Sequence, residues 1–167
     1  GFATGDLSEL LEVQLPEDVN VVIETGGASV WQNDVVDASK LQRWVYNSEG
    51  LQLIDEQPSA SMGQAQTLAD FLQFAKTNYP AERTAVLFWN HGGGSISGVC
   101  FDEMNDSDSL SLREIDSALN SVYDQMSDKF EFIGFDACLM STLETANIIA
   151  PYARYMFASE ETEPGGG

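Results

Sequence analysis

Histidine is almost missing from this chain: its 167 residues contain one, His91. Cysteine is nearly as scarce, with Cys100 and Cys138 alone, too few for the disulfide framework that staples small secreted folds. Basic residues are short as well. Seven Lys and Arg stand against 27 Asp and Glu, a formal net charge of −20, and that field repels nucleic-acid phosphates and anionic membrane surfaces, which argues against both as partners. It favours basic peptides, although a solubilising acidic surface is the simpler use of such a charge. No apolar run approaches the roughly 18 residues of a membrane span, and the opening Gly1-Phe2-Ala3-Thr4-Gly5-Asp6 has no signal-peptide pattern. No internal repeat, low-complexity tract or interior linker divides the sequence. With 43% hydrophobic residues the composition is globular, and the length suits a single domain over residues 1–167 that buries about two thirds of its unfolded surface.

Hydrophobic periodicity orders the elements. Asp6 reads as the N-cap of a short helix carrying Leu7, Leu10 and Leu11, with Glu9 completing a capping box. Residues 20–24 are rich in β-branched side chains and read as a strand. Residues 41–46 and 51–54 flank Asn47-Ser48-Glu49-Gly50 as a hairpin. Leu68, Phe71, Leu72 and Ala75 share one face of a helix over 67–79, which Pro80 ends. The near-continuous apolar run 84–89 predicts a central strand covered on both faces. A helix over 112–123, a strand over 130–135, a helix over 139–149 and a strand over 155–158 follow. Strands alternating with helices imply parallel pairing with helices on both faces, and ligands bind at the carboxyl ends of such strands.

Two of those carboxyl ends carry chemistry. His91 follows one apolar run and opens His91-Gly92-Gly93-Gly94; Cys138 follows another. A sulfur that becomes thiolate, with an imidazole to stabilise it and later protonate a leaving amine, is the minimum for nucleophilic thiol catalysis. If Cys138 stands where a strand hands over to a helix, helical amides add to thiolate stability. A buried structural cysteine and a satisfied core histidine are the bland alternatives. The glycines permit close backbone approaches or simply a tight turn. Asp136 reads as an N-cap for the next helix, a common use of Asp. Cys100 reads as a small buried strand residue.

Three ordered motifs resemble the clostripain-type cysteine peptidases, of the structural clan that includes caspases, gingipains and legumain. They are Leu87-Phe88-Trp89-Asn90-His91-Gly92-Gly93-Gly94, Ile133-Gly134-Phe135-Asp136-Ala137-Cys138-Leu139-Met140 and Ala158-Ser159-Glu160-Glu161-Thr162-Glu163-Pro164-Gly165. The resemblance implies an α/β, caspase-like three-layer sandwich: a mostly parallel central sheet with helices on both faces. It implies a cysteine endopeptidase that cleaves after Arg or Lys through a Cys138-His91 dyad, with an oxyanion hole from the Gly92 and Cys138 N–H groups. Asp136 then belongs to the pocket for the basic side chain, and Ser159, Glu160, Thr162 and Glu163 lie along the substrate cleft. No organic cofactor is implied. Some family members use calcium, for which Asp102, Asp106 and Asp108 are the candidates, although they lack the EF-hand pattern; a solvated acidic loop is the alternative. The expected partner is a peptide or protein substrate with Arg or Lys before the cleaved bond, and the expected location is outside the cell or at its envelope. The chain reads as incomplete at both ends, so the remainder of the same polypeptide is a further expected partner. Relatives often mature by cleavage between His and Cys, but the only bases in that interval are Arg113 and Lys129, both in regular elements. The rival reading is a catalytically inactive, acidic binding module or processed fragment of the same fold.

Overall fold

Two apolar runs, one ending before His91 and one before Cys138, become neighbouring strands. In a computed structural model that describes residues 2–126 and 128–164, they are β4 (Ala85–Trp89) and β7 (Phe130–Asp136). These pair in parallel, with Trp89 opposite Asp136. On the other side of β7 lies β8 (Ala153–Phe157), also parallel, giving the order β4-β7-β8. A second sheet is antiparallel, built from β1 (Val21–Thr25), β2 (Lys40–Asn47) and β3 (Gly50–Pro58). Its hairpin is tighter than the sequence suggested: Asn47 pairs with Gly50, leaving Ser48 and Glu49 as the connection, and the Asn47 side chain accepts the Glu49 N–H. A small antiparallel pair, β5 (Val99–Asp102) and β6 (Asp108–Leu110), follows the short helix α3 (Gly94–Ser97).

The helices α2 (Ala65–Asn78), α4 (Leu112–Tyr123) and α5 (Leu143–Ile149) complete the core with Val86 and Phe88 of β4 and Ile133 and Phe135 of β7. Phe88 and Phe135 stack with ring centroids 5.1 Å apart. Burial of these alternate residues supplies the driving force for sheet-on-helix packing, at roughly 1.5–3 kcal/mol for each large apolar side chain. The helix α4 starts at a complete capping box, with Ser111 and Glu114 each satisfying the other's backbone N–H.

Three expectations need correction. Asp6 lies inside α1 (Phe2–Leu10), not ahead of it, so its backbone is already helical and it caps nothing; no residue of α1 is buried. The strand β4 is not covered on both faces: burial alternates along it, with Leu87 and Trp89 exposed. Among the described residues, α2, α4 and α5 pack against one face of the parallel sheet, while Leu87, Trp89, Phe132, Tyr155 and Phe157 on the other are exposed. The third correction is the helix after Cys138. It begins at Leu143, with the Thr142 hydroxyl accepting the Thr145 N–H as its cap. Residues 139–142 leave the helical path because Leu139 takes a left-handed backbone, φ 62°, and because Ser141 pairs with a later segment of the chain.

Candidate active site

The parallel register does the first part of the assembly. Trp89 and Asp136 are partners, and His91 and Cys138 each stand two residues beyond, after adjacent strands at the carboxyl edge. Neighbouring strands lie about 4.8 Å apart. The loops then diverge in a controlled way. Gly92 packs so closely on the second loop that a Cβ there would lie 2.1 Å from the Cys138 carbonyl oxygen. No other residue fits, which turns the glycine from a permissive turn residue into a required one.

The histidine loop is pinned on its far side. The Cys100 N–H donates to the His91 carbonyl at 3.2 Å, and the Gly93 N–H to the Gly98 carbonyl at 2.8 Å. The Asn90 side chain accepts the Phe101 N–H at 3.0 Å, while its own N–H reaches the Asp136 carbonyl at 3.4 Å. The His91 side is exposed and carries no side-chain hydrogen bond among the described residues. Glu103 is the nearby acid. Its carboxyl is held below the usual range by the Ser29 hydroxyl and N–H, with a lesser contribution from the charge of His91.

The cysteines differ as their contexts suggest. Burial pushes the Cys100 thiol up to about 12, so it stays protonated and inert. Cys138 is half-buried and free. Its sulfur accepts the backbone N–H of Glu163 at 3.2 Å. The helical amides invoked from the sequence are not at hand, since four residues separate Cys138 from the first turn of α5. The Gly92 and Cys138 N–H groups have no carbonyl acceptor among the described residues.

Asp136, the last residue of β7, is not a helix cap; Thr142 is. It lines a cleft of about 380 Å³ together with Leu87, Phe135, Phe157, Ala158, Ser159 and Glu163. Desolvation holds the Asp136 carboxyl above its ordinary value, and the charges of Glu163 and Asp6 add to the effect. A lining that joins apolar side chains to two carboxylates suits a long side chain with a cationic tip. Residues 159–163 form a strap that bends at Glu160 and Glu161 and supplies Ser159 and Glu163 to the cleft. The Ser141 N–H donates to the Ser159 carbonyl at 2.9 Å and the Leu139 N–H to the Glu161 carbonyl at 3.0 Å, while the Ser159 hydroxyl bridges back to Glu161.

At the carboxyl edge of the sheet the backbone of Gly92 therefore lies against that of Cys138, His91 stands one residue earlier, and Asp136 and Ser159 share the neighbouring cleft. Glu160 and Thr162 sit on the strap but do not line the cleft, whereas Glu163 does. The sequence placed Glu163 along the cleft but not on the sulfur. Nothing in the local pattern reveals that contact, because it depends on where a strap 25 residues on returns. Asp102 and Asp108 already accept hydrogen bonds from the Met62 and Met104 N–H groups and from Ser61 and Ser109. Among the described residues no three His, Cys, Asp or Glu side chains are arranged to hold a metal ion. No described helix is long and apolar enough to cross a membrane.

A parallel sheet flanked by helices defines a class of fold, and comparison with solved structures gives the same one. A secreted C11 cysteine protease from Bacteroides thetaiotaomicron, in complex with an irreversible peptide inhibitor, superposes with a TM-score of 0.78 at 24% identity, covering 99% of this chain and 46% of that one. An inactive zymogen C11 protease from Parabacteroides distasonis gives a TM-score of 0.64 at 22% identity, over 100% of this chain and 47% of its own. The fold is therefore the caspase-like α/β fold of these proteases. The chain belongs to the clostripain family, Peptidase C11, whose profile matches residues 1–167. Clostripain of Hathewaya histolytica is 31% identical over 100 residues, which is 52% of this chain and 18% of that protein. The chain thus spans less than half the length of the relatives it matches.

Proposed function

We propose that this chain carries the catalytic centre of a cysteine endopeptidase that cleaves after Arg or Lys. The observation that supports this most strongly is the meeting of His91, Gly92 and Cys138 at adjacent strand ends, beside a cleft that holds Asp136. A basic side chain enters the cleft and pairs with Asp136, which places the next peptide carbonyl over Cys138. The thiolate adds to that carbon. Charge collects on the carbonyl oxygen, where the N–H groups of Gly92 and Cys138 await an acceptor; each such donor is worth roughly 3 kcal/mol of barrier. His91 then protonates the leaving amine, the C–N bond breaks, and water releases the acyl group from sulfur. The strap 159–162 offers its outer edge to the substrate backbone.

The relative described as secreted supports export of this protein as well. The zymogen relative, of which this chain covers 47%, supports a remainder of the polypeptide as a partner. The test is hydrolysis of fluorogenic peptides ending in Arg, Lys, Asp or Leu, with and without calcium, beside Cys138→Ala and His91→Ala. Cleavage restricted to Arg and Lys and lost in both variants is expected. Folded protein with no cleavage of any peptide would leave the inactive binding module as the better reading.

A further inference from the structure

Glu163 touches the site through its backbone and through its side chain, and its carbonyl oxygen also lies 3.9 Å from the Cys138 sulfur, within reach of the thiol proton. Its backbone N–H donates to the Cys138 sulfur at 3.2 Å, and its side chain lines the cleft with Asp136. The first contact follows from the strap's geometry. Residues 159 and 161 pair with 141 and 139 through carbonyl acceptors, in antiparallel sense. Two residues on, where an antiparallel ladder would bring the next rung, the N–H of Glu163 meets sulfur. An N–H aimed at sulfur is a partner that a thiolate can use and that a carbonyl cannot replace. With α5 starting only at Leu143, this N–H takes the place that helical amides were expected to fill.

The second contact is electrostatic. Two carboxylates facing one cleft repel each other, and a guanidinium or ammonium between them removes that repulsion. Pro164 follows directly and restricts Glu163 to extended backbone. Side chain and N–H thus belong to one residue of restricted backbone, and a cation that draws the carboxylate into the cleft acts on the donor at the sulfur through a single Cα. Resting on the peptidase reading above, we propose that Glu163 is a further catalytic residue: its backbone N–H supports the Cys138 thiolate, and its carboxylate couples occupation of the cleft by a cation to the reactivity of that sulfur. The enzyme would then discriminate for basic side chains in its chemical step as well as in binding.

Alkylation of Cys138 by iodoacetamide, followed by mass spectrometry of the intact protein, reads this without turnover. At about pH 6, where only a stabilised thiolate reacts quickly, Glu163→Pro lacks the N–H and is expected to react about tenfold more slowly than wild type, as for loss of a hydrogen bond to a charged group. Saturating methylguanidinium is expected to accelerate wild-type alkylation about fivefold, the size of a modest coupling between sites. In Glu163→Gln that ratio should fall to one. An unchanged or faster rate in Glu163→Pro, shown folded by circular dichroism, would overturn the thiolate role. No acceleration in wild type, or full acceleration in Glu163→Gln, would overturn the coupling. If the proline variant does not fold, the methylguanidinium ratios decide alone. Failure of wild type to cleave Arg peptides would sink the peptidase reading and leave the alkylation comparison standing.

Discussion

Gly92 and Asp136 show how individual residues set the chemistry. A Cβ at position 92 would meet the Cys138 carbonyl oxygen at 2.1 Å, so Gly92→Ala must push the histidine loop off the cysteine loop and move the N–H donors. We expect kcat to fall by about a hundredfold, comparable to loss of one oxyanion donor, with KM for Arg peptides little changed; an equal rise in KM would place the damage in binding instead. Asp136 predicts a pH effect. Its carboxyl is raised, by desolvation first and then by Glu163 and Asp6, and only the ionised form pairs with a cation. On acidification KM for Arg peptides should begin to climb above the ordinary carboxylate range, whereas Asp136→Asn should show a high KM with no such pH dependence. The positions of His91, Asp136 and Cys138 at the carboxyl ends of β4 and β7 were legible because apolar runs end just before them. Glu163 on sulfur was not legible, since no local pattern encodes the return of a distant strap.

At the scale of elements, local and non-local signals part company. The helix α4 was readable to the residue, because Leu112, Ile115, Leu119 and Val122 recur at helical spacing; the capping box of Ser111 with Glu114 came only with the structure. Ser111→Ala should cost about 1 kcal/mol and lower Tm by roughly 2–4 °C for a chain of this size. The segment after Cys138 was misread as helix, since its side chains suit one. What overrides them is the pairing of Leu139 and Ser141 with the strap and the left-handed Leu139 backbone, a strain of roughly 1–3 kcal/mol of the kind that gathers at functional sites. The antiparallel sheet holds a different device. Arg43 bonds Glu24 at 2.7 Å and lies 4.9 Å over the Phe74 ring of α2. Burial still pushes the Glu24 carboxyl up to about 7, the nearby guanidinium offsetting part of that rise. A raised folded-state value means the folded chain holds the proton more tightly than the unfolded one. This contribution to stability is complete below the ordinary carboxylate value and is lost as pH rises through about 7. Thermal melts should therefore lose Tm between weakly acidic and weakly basic pH, and Glu24→Gln should flatten that slope; a melt that rises across the same range would contradict the assignment.

For the whole molecule, the class of fold was readable from alternating strands and helices, but not which face of the sheet the helices cover. Alternation fixes only that alternate residues of β4, β7 and β8 share a face. Leu87, Trp89, Phe132, Tyr155 and Phe157 form an exposed apolar surface on the side away from α4, a kind of patch that marks an interaction site or an association hazard. The chain on its own should bind the dye ANS at this face, and Leu87→Glu with Phe157→Lys should abolish the fluorescence gain; an unchanged gain would place dye binding elsewhere. The pairing of β4 with β7 bears on another matter. Between His91 and Cys138 the backbone runs out through the exposed turn at Glu103, Met104 and Asp106, yet the two residues are brought together by the strand ladder, not by that excursion. A single nick in the turn would put the imidazole and the sulfur on different polypeptides without parting them, and the two fragments should co-elute on gel filtration as one particle until a denaturant dissolves the ladder.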